Sequence, residues 1–577
     1  MNKKWLCLLV AGFSLLSLPL YATGENEVQV EAAAAPGEPQ YGGSITVINA
    51  PTDKLGNPDR AYGSGPVVYW INHVCEKIHV GDVYQYGARG TGEFTFSNDY
   101  GLPLKYKKGG LVESWDITPE AVVFNFRKGV FWSGLSMNPV MEKREFTAED
   151  YVFSLSRRLQ PDSPQGSYFR GIDWIKEPYE DHVYARDKYT AVIETNYFHA
   201  DWDGILQGGG GQQCAPETVE AGPDRWENVV GTGPFYIKDY VPGSHIGYGK
   251  NPHYWQKAPI DGKEYETPFL DEMTIPLMKD EATIVAALRT ATLDAFLQMH
   301  MPHVASLDKT NPELMKHSFR WGLAATVAMK LDQPPFDDIN VRRALFIGTD
   351  RAAVSEMVME GDPVYHMWPM GTGWEGWVPI EDLPASAQEL YTYDPEKAQQ
   401  MLADAGYPNG FKVKMLTSTR WQLPDIAQLL AANWADYGIE VEIETGEVGV
   451  VRSRGPKLDY EDTFLEIAVT HTPILFANIH YGTKGTRNWP GYSNEDVDTW
   501  LRDAVSEIDD AKRIQMMEEA FVRITEDVPA IPMALPPIMI YWWPWVQNFV
   551  GETWYHIHSP DYHNWWLDQG MKNQMGY

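Results

Sequence analysis

Gly231, Thr232, Gly233 and Pro234 sit between the apolar pair Val229 and Val230 and the run from Phe235 to Ile237, and they restrict the backbone more tightly than the residues around them. Two glycines and a proline within four residues predict a tight turn joining two extended segments. Such a turn fixes geometry and performs no chemistry, so the function has to be sought in what surrounds it.

A chain of 577 residues exceeds what one hydrophobic core fills, and two or three lobes are expected. Short extended runs, SITVINA at 44–50 and AVVFNFRKGVFW at 121–132, are separated by amphipathic helical stretches, which places the chain in the α/β class. Thr147 with Asp150 three residues on reads as a near capping box opening a helix into YVFSLSRRL. Asp394 and Pro395 open a second helix, which Gly406 stops. A third is expected over 424–437, closed by Gly438 ahead of the alternating strand IEVEIE at 439–444, and a fourth over 494–524.

Lys3 and Lys4 precede an apolar run from Trp5 to about Leu20, the pattern of a cleaved signal peptide over 1–22. Cys7 lies within that run and no cysteine stands at the cleavage point, so a freely diffusing periplasmic protein is expected rather than a lipid-anchored one. Residues 23–40 are acidic and rich in Ala and Pro, and read as a disordered leader. A net charge of -32 excludes nucleic acid as a natural partner. Export permits Cys75 and Cys214 to pair, and the sequence leaves that pairing open. Neither cysteine has a Cys or His neighbour at metal-ligand spacing, and no metal or cofactor is expected.

Hydrolase, phosphate-loop, zinc-protease and redox motifs (G-x-S-x-G, G-x-x-x-x-G-K-[ST], H-E-x-x-H and C-x-x-C) are absent. An exported hydrolase would need a nucleophile and base that the sequence does not present. His471, His480, His556, His558 and His563 read as isolated histidines rather than a metal set. Aromatic residues are the strongest ligand signal, with 22 Trp in the chain. Trp368, Trp374 and Trp377 lie in the loop MWPMGTGWEGW, where packing periodicity does not account for them, and are expected to face a ligand. Trp542, Trp543 and Trp545 lie in an apolar stretch and are expected in the core. Arg420 and Trp421 follow the strand FKVKMLTST, where Arg420 could pair with a ligand carboxylate or stand as an ordinary surface arginine.

Several blocks in series carry a family resemblance. They are YGGSITV at 41–47, GLVESWDITPEAVVFNFRKGVFWSG at 110–134, FTAEDYVFSLSRRL at 146–159, GTGPF with Asn251 to Trp255 (NPHYW), PFLDEMTIPLMKDEATIVAALRTATLDAF at 268–296, FDDINVRRALFIGTDRAAVSEMVMEGDP at 336–363 and YDPEKAQQMLADAGYP at 393–408. In this order they resemble the extracellular solute-binding proteins of family 5, the oligopeptide, dipeptide and nickel binding proteins of ABC importers. The resemblance implies a two-lobed, hinged periplasmic binding protein with an extra third domain, acting without enzymatic chemistry. On that plan domain I comprises 41–75, 205–318 and 535–577, the extra domain 76–204 and the other ligand lobe 319–534. It implies a monomer that captures a peptide-like or, alternatively, an oligosaccharide solute and delivers it to an ABC permease complex at the inner membrane. His471, Asn488 and Trp489, in AVTHTPILFANIHYGTKGTRNWPGYSN at 468–494, complete the expected ligand set with Arg420, Trp421 and the Trp368, Trp374 and Trp377 loop. That stretch lacks the acidic residue with which peptide-binding members hold a free amino group: no Asp or Glu lies between Glu466 and Glu495.

Overall fold

The structure, a computed structural model, describes residues 38–577 apart from 64–66, 95, 97–101, 165–172, 208–210, 214, 320–323, 360–373, 469–471, 534–536 and 550–560. The signal peptide, most of the leader, Trp368, His471, His556, His558 and Cys214 lie outside the described residues, while Cys75 is buried. Two large sheets carry the architecture. The first has seven strands in the order Phe235–Val241, His245–Lys250, Glu272–Pro276, Ser44–Ile48, Ala295–Met299, Ile538–Trp542 and Met315–Phe319. The second has five, in the order Glu440–Gly446, Lys412–Ser418, Thr463–Ala468, Ala324–Met329 and Ala530–Met533. A separate four-stranded antiparallel sheet, built from strands within 112–194, forms the extra domain with the helix Ala148–Leu159.

The two large sheets share the chain twice. Met315–Phe319 lies in the first sheet and the next strand, Ala324–Met329, in the second; Ala530–Met533 lies in the second and Ile538–Trp542 in the first. The strands that flank the two crossings are paired, Phe319 with Ile538 in the first sheet and Ala325 with Met533 in the second. Two lobes tied by two adjacent strands form a hinged pair.

Local sequence signals account for the helices. The Thr147 amide donates to the Asp150 carboxylate at 2.9 Å, closing the expected capping box. Asp394 caps Pro395–Asp404 by accepting from the Lys397 amide at 2.9 Å. Leu423–Ala435 buries Leu423, Ile426, Ala427, Leu430 and Trp434, and Gly438 beyond it takes φ +74, a region closed to most side chains. The single helix expected over 494–524 is two, Glu495–Ser506 and Asp510–Asp527. Asp509 makes the break by accepting from the amides of Ala511 and Lys512 at 3.0 and 3.2 Å, so the acidic run caps a new helix instead of continuing the old one.

The Gly231 turn also differs from expectation. A short 3-10 turn, Trp226–Asn228, precedes it rather than a strand, and neither Gly231 nor Gly233 has positive φ. The glycines serve close approach: a Cβ on Gly231 would stand 1.7 Å from the Val74 carbonyl oxygen and one on Gly233 2.6 Å from it. Gly233 N donates to that carbonyl at 2.8 Å, and the Gly231 carbonyl accepts from Ser133 N at 3.0 Å. Gly231→Ala should therefore cost about 2–3 kcal/mol, read as a lower denaturation midpoint at unchanged slope. Gly243→Asn, at φ +72 with nothing within 4 Å of its added Cβ, should stay within about 0.5 kcal/mol of wild type. Equal losses at both positions would contradict the close-approach account.

Candidate functional site

Parallel strands end together, and in both large sheets they end at the crossings. In the second sheet Lys412–Ser418 runs parallel to Glu440–Gly446 and Thr463–Ala468. Ser418, Gly446 and Ala468 therefore share the edge reached by Ala325 and Met533. In the first sheet Ser44–Ile48 runs parallel to Glu272–Pro276 and Ala295–Met299, and Met299 pairs with Met539 next to the crossing. Carboxyl ends of parallel strands are the usual ligand positions of α/β sheets, since the loops that leave them converge there.

On the second lobe that edge carries an arginine held by its neighbours. Glu466 is fully buried and accepts from the Ser418 hydroxyl at 2.8 Å and from the Ile467 amide at 2.9 Å. Arg420 places Nη1 3.9 Å from Glu466 Oε1, and its guanidinium lies 4.1 Å from the centre of the Trp421 ring. Trp421 adopts φ +46, a left-handed conformation uncommon for an aromatic residue, which sets its ring beneath the guanidinium. Arg420 Nη1 is buried yet makes no hydrogen bond. A fixed guanidinium with an unused donor, beside one internal carboxylate, can take a second carboxylate. Ser418 and Glu466 escaped the sequence reading because their meeting depends on register between strands 48 residues apart.

On the first lobe, Asn49 follows the strand Ser44–Ile48. Its side-chain amide donates to the Tyr69 carbonyl at 3.1 Å and its oxygen accepts from the Tyr562 hydroxyl. Trp565 packs edge-on to Tyr562 at 4.5 Å and Phe549 covers Trp565 at 4.1 Å, so this wall is braced by rings.

Three expected ligand residues are engaged elsewhere. Trp374 is buried and packs edge-on at 6.0 Å against Phe94. Trp489 is buried against Phe464 and His480, at 5.1 and 5.2 Å. Asn488 donates to the Gly482 and Tyr492 carbonyls at 3.0 and 2.7 Å and accepts from the Tyr492 amide at 2.9 Å, tying its own loop. In this structure these side chains are engaged in packing and with the loop backbone. Trp377 is half-buried near the extra domain's seam. Trp543 and Trp545 are fully buried and stacked at 4.6 Å, as a core pair.

The seam between the extra domain and the second lobe is polar as well as aromatic. Ala200 N donates to the Val505 carbonyl at 2.7 Å. A cavity there is lined by Asp201, Glu375, Thr472 and Arg513, with Arg513 Nη2 3.7 Å from Glu375. Burial pushes Asp201 up to about 6, reinforced by the Glu375 charge and opposed by Thr472, Arg513 and Lys107. Burial likewise raises Glu375, against the pull of Arg513.

An acid raised in the fold keeps its proton where the unfolded chain releases it, so stability is full below about pH 4 and is lost as pH rises toward 6. Asp201→Asn should therefore gain stability relative to wild type between pH 4 and pH 7, by up to ~2 kcal/mol, followed by thermal denaturation at each pH. A wild-type-to-variant difference independent of pH would contradict the assignment.

Comparison with known proteins agrees with this architecture. The model of the bacterial extracellular solute-binding proteins, family 5 (middle), matches residues 108–467. Heme-binding protein A of Haemophilus influenzae is 28% identical over 477 residues, covering 75% of this chain and 81% of the relative. Di/tripeptide-binding protein 1 of Pseudomonas aeruginosa is 25% identical over 455 residues, covering 74% and 80%. Among solved structures, the periplasmic binding protein DppA from Helicobacter pylori in complex with the peptide STSA superposes with a TM-score of 0.68 at 20% identity, covering 92% of this chain and 99% of that one. HbpA2 from Haemophilus parasuis does so with a TM-score of 0.70 at 19% identity, covering 91% and 100%. With the family model spanning well over half its length and the two-lobed fold in place, the chain belongs to the bacterial extracellular solute-binding proteins of family 5.

Proposed function

We propose that this protein is the exported, monomeric solute-capturing component of an ABC importer, and that it closes on a peptide-like solute between its lobes and hands it to a membrane permease. The observation that carries the reading is Arg420, whose buried Nη1 makes no hydrogen bond and stands 3.9 Å from Glu466 at the edge where the strand ends converge. A peptide ends in the carboxylate that such a guanidinium takes in bidentate fashion. Relatives named for di- and tripeptides and for dipeptides support the solute class. The three-part division at 41–75 with 205–318 and 535–577, 76–204, and 319–534 belongs to the same proposal. So do Trp421, Trp377, Trp368 and His471 as further contacts of the solute. The extra domain's seam with the second lobe is read as a feature of the closed form, and no bond is made or broken in the captured molecule.

A second reading, heme as the solute, is favoured by the 28% identity to a protein named for heme binding. Titration calorimetry with tri-alanine, alongside absorbance titration with hemin, separates the two. Tri-alanine is expected to bind and to be recovered intact. Arg420→Ala should weaken it roughly 10- to 100-fold, the loss that goes with hydrogen bonds to a charged group. A Soret shift with hemin and no heat with tri-alanine would move the assignment to heme. Recovery of cleaved peptide would replace binding with hydrolysis.

A further inference from the structure

The seam between the extra domain and the second lobe is anchored on both sides. On one side Trp202 packs at 6.1 Å on Phe124 of the four-stranded sheet, which fixes the start of the helix Trp202–Gln207 and with it Ala200 and Asp201. On the other, Met517 and Phe521 of the helix Asp510–Asp527 share a core with Phe464 of the second sheet, which fixes Arg513. Between the two lies the cavity that Asp201, Glu375, Thr472 and Arg513 line, about 490 Å³ of empty space that includes open solvent. The extra domain holds the first lobe by bidentate pairs, Arg157 on Asp59 at 2.7 and 3.0 Å and Arg144 on Glu217 at 2.6 and 2.8 Å. Its hold on the second lobe passes through this seam.

The aromatic part of the seam, Phe94 against Trp374, carries no charge. Asp201 is the group through which the polar part answers to pH. It is 5% exposed, and the Thr472 hydroxyl, which accepts from the Leu475 amide at 3.3 Å, donates to its carboxylate from the second lobe. One residue before it, Ala200 N crosses the same seam to the Val505 carbonyl.

The charges that face Asp201 are already engaged. Lys107 pairs with Asp203, both within the extra domain. Arg513 Nη1 lies 2.7 Å from Asp510, and its Nη2 lies 3.7 Å from Glu375. The Asp201 amide donates to His199 Nδ1 at 3.1 Å, and burial holds that imidazole down at about 4, so it brings no charge at neutral pH. Among the described residues Asp201 itself forms no ion pair. An ionised Asp201 therefore puts an uncompensated charge into the seam, beside the half-buried Glu375 carboxyl, and a neutral one does not.

We propose that this seam is a proton-operated latch, in which neutral Asp201 holds the extra domain against the second lobe and ionised Asp201 releases it. The direction follows from linkage. Held in the seam the carboxyl keeps its proton up to about pH 6, and released to water it gives the proton up near its ordinary value of about 4. The stabilisation of the closed seam is thus complete below about pH 4 and lost as pH rises through about 6. Burial raises Glu375 as well, which adds to the effect in the same direction. The inference rests on the lobe-closure reading only for what the parting of the seam accomplishes.

The test needs no solute. Hydrogen exchange of the Ala200 amide in the full mature chain, expressed as a protection factor so that the intrinsic pH dependence cancels, reads the seam directly. Protection should be roughly tenfold greater at pH 5 than at pH 7, the linkage of one carboxyl moving between about 4 and about 6. The Gly233 amide, bonded to Val74 in the first lobe, should not follow it. Asp201→Asn, which keeps an acceptor for Thr472, should show the high protection at both pH values. Equal wild-type protection at the two pH values overturns the latch without any variant. So does a parallel change at Gly233, which would mark a change in overall stability, and so does a wild-type pH dependence retained by Asp201→Asn.

Titration with tri-alanine at pH 5.5 and pH 7.5 then separates the latch from the capture reading. Wild type should bind severalfold more tightly at pH 5.5, and Asp201→Asn equally at both. If tri-alanine binds equally at both pH values while Ala200 protection changes, the latch stands and its part in capture falls. If tri-alanine does not bind at either pH, the peptide reading falls and the amide measurement alone decides the latch.

Discussion

Two adjacent strand crossings constrain everything else in this molecule. Because Phe319 pairs with Ile538 in one sheet and Ala325 with Met533 in the other, the lobes are joined by a hydrogen-bonded pair on each side rather than by a single thread. Paired flanking strands bring the strand ends of both sheets to the same junction, the arrangement of a hinged pair. It also sets which residues meet at that edge: parallel strands deliver the side chains at 418 and 466 there, and 420 follows.

Aromatic residues do three different jobs here. Trp543 and Trp545 stack inside the first lobe and add cohesion. Tyr562, Trp565 and Phe549 stiffen a wall, so that Asn49 is held from behind. Trp421 instead fixes a charge, holding the Arg420 guanidinium over its face at the expense of an unfavourable backbone angle. High tryptophan content is thus a poor guide to any one position, since the same residue type bears on packing, bracing and recognition.

What could be read from the sequence divides along the range of the interactions involved. Caps at Thr147 and Asp394 were legible because a donor and its acceptor lie three residues apart. The α/β class followed from periodicity and the core position of Trp543 from the apolar stretch around it. The break at Asp509 was hidden because an aspartate within an acidic, helix-favouring run looks the same whether it continues the helix or caps the next. Arg420 was visible as a residue type after a strand, but Glu466 and Ser418, which position it, meet only through register. Asn488 and Trp489 have chemistry that suits a ligand, and their engagement with the loop backbone and with Phe464 is visible only in the tertiary structure.

The close contact at Gly231 bears on which parts of the protein can move separately. Three segments meet there with no side chain between them: Val74 at the end of the first lobe's opening segment, the turn itself, and Ser133 of the extra domain. Backbone bonded directly to backbone leaves no side chain there to yield, so the three segments hold one another at fixed distance. Under the lobe closure proposed above, whatever is tied to Ser133 would move with Val74. The Phe94 to Trp374 contact and the Ala200 to Val505 bond would then part on opening, and that distant seam would belong to the proposed gate.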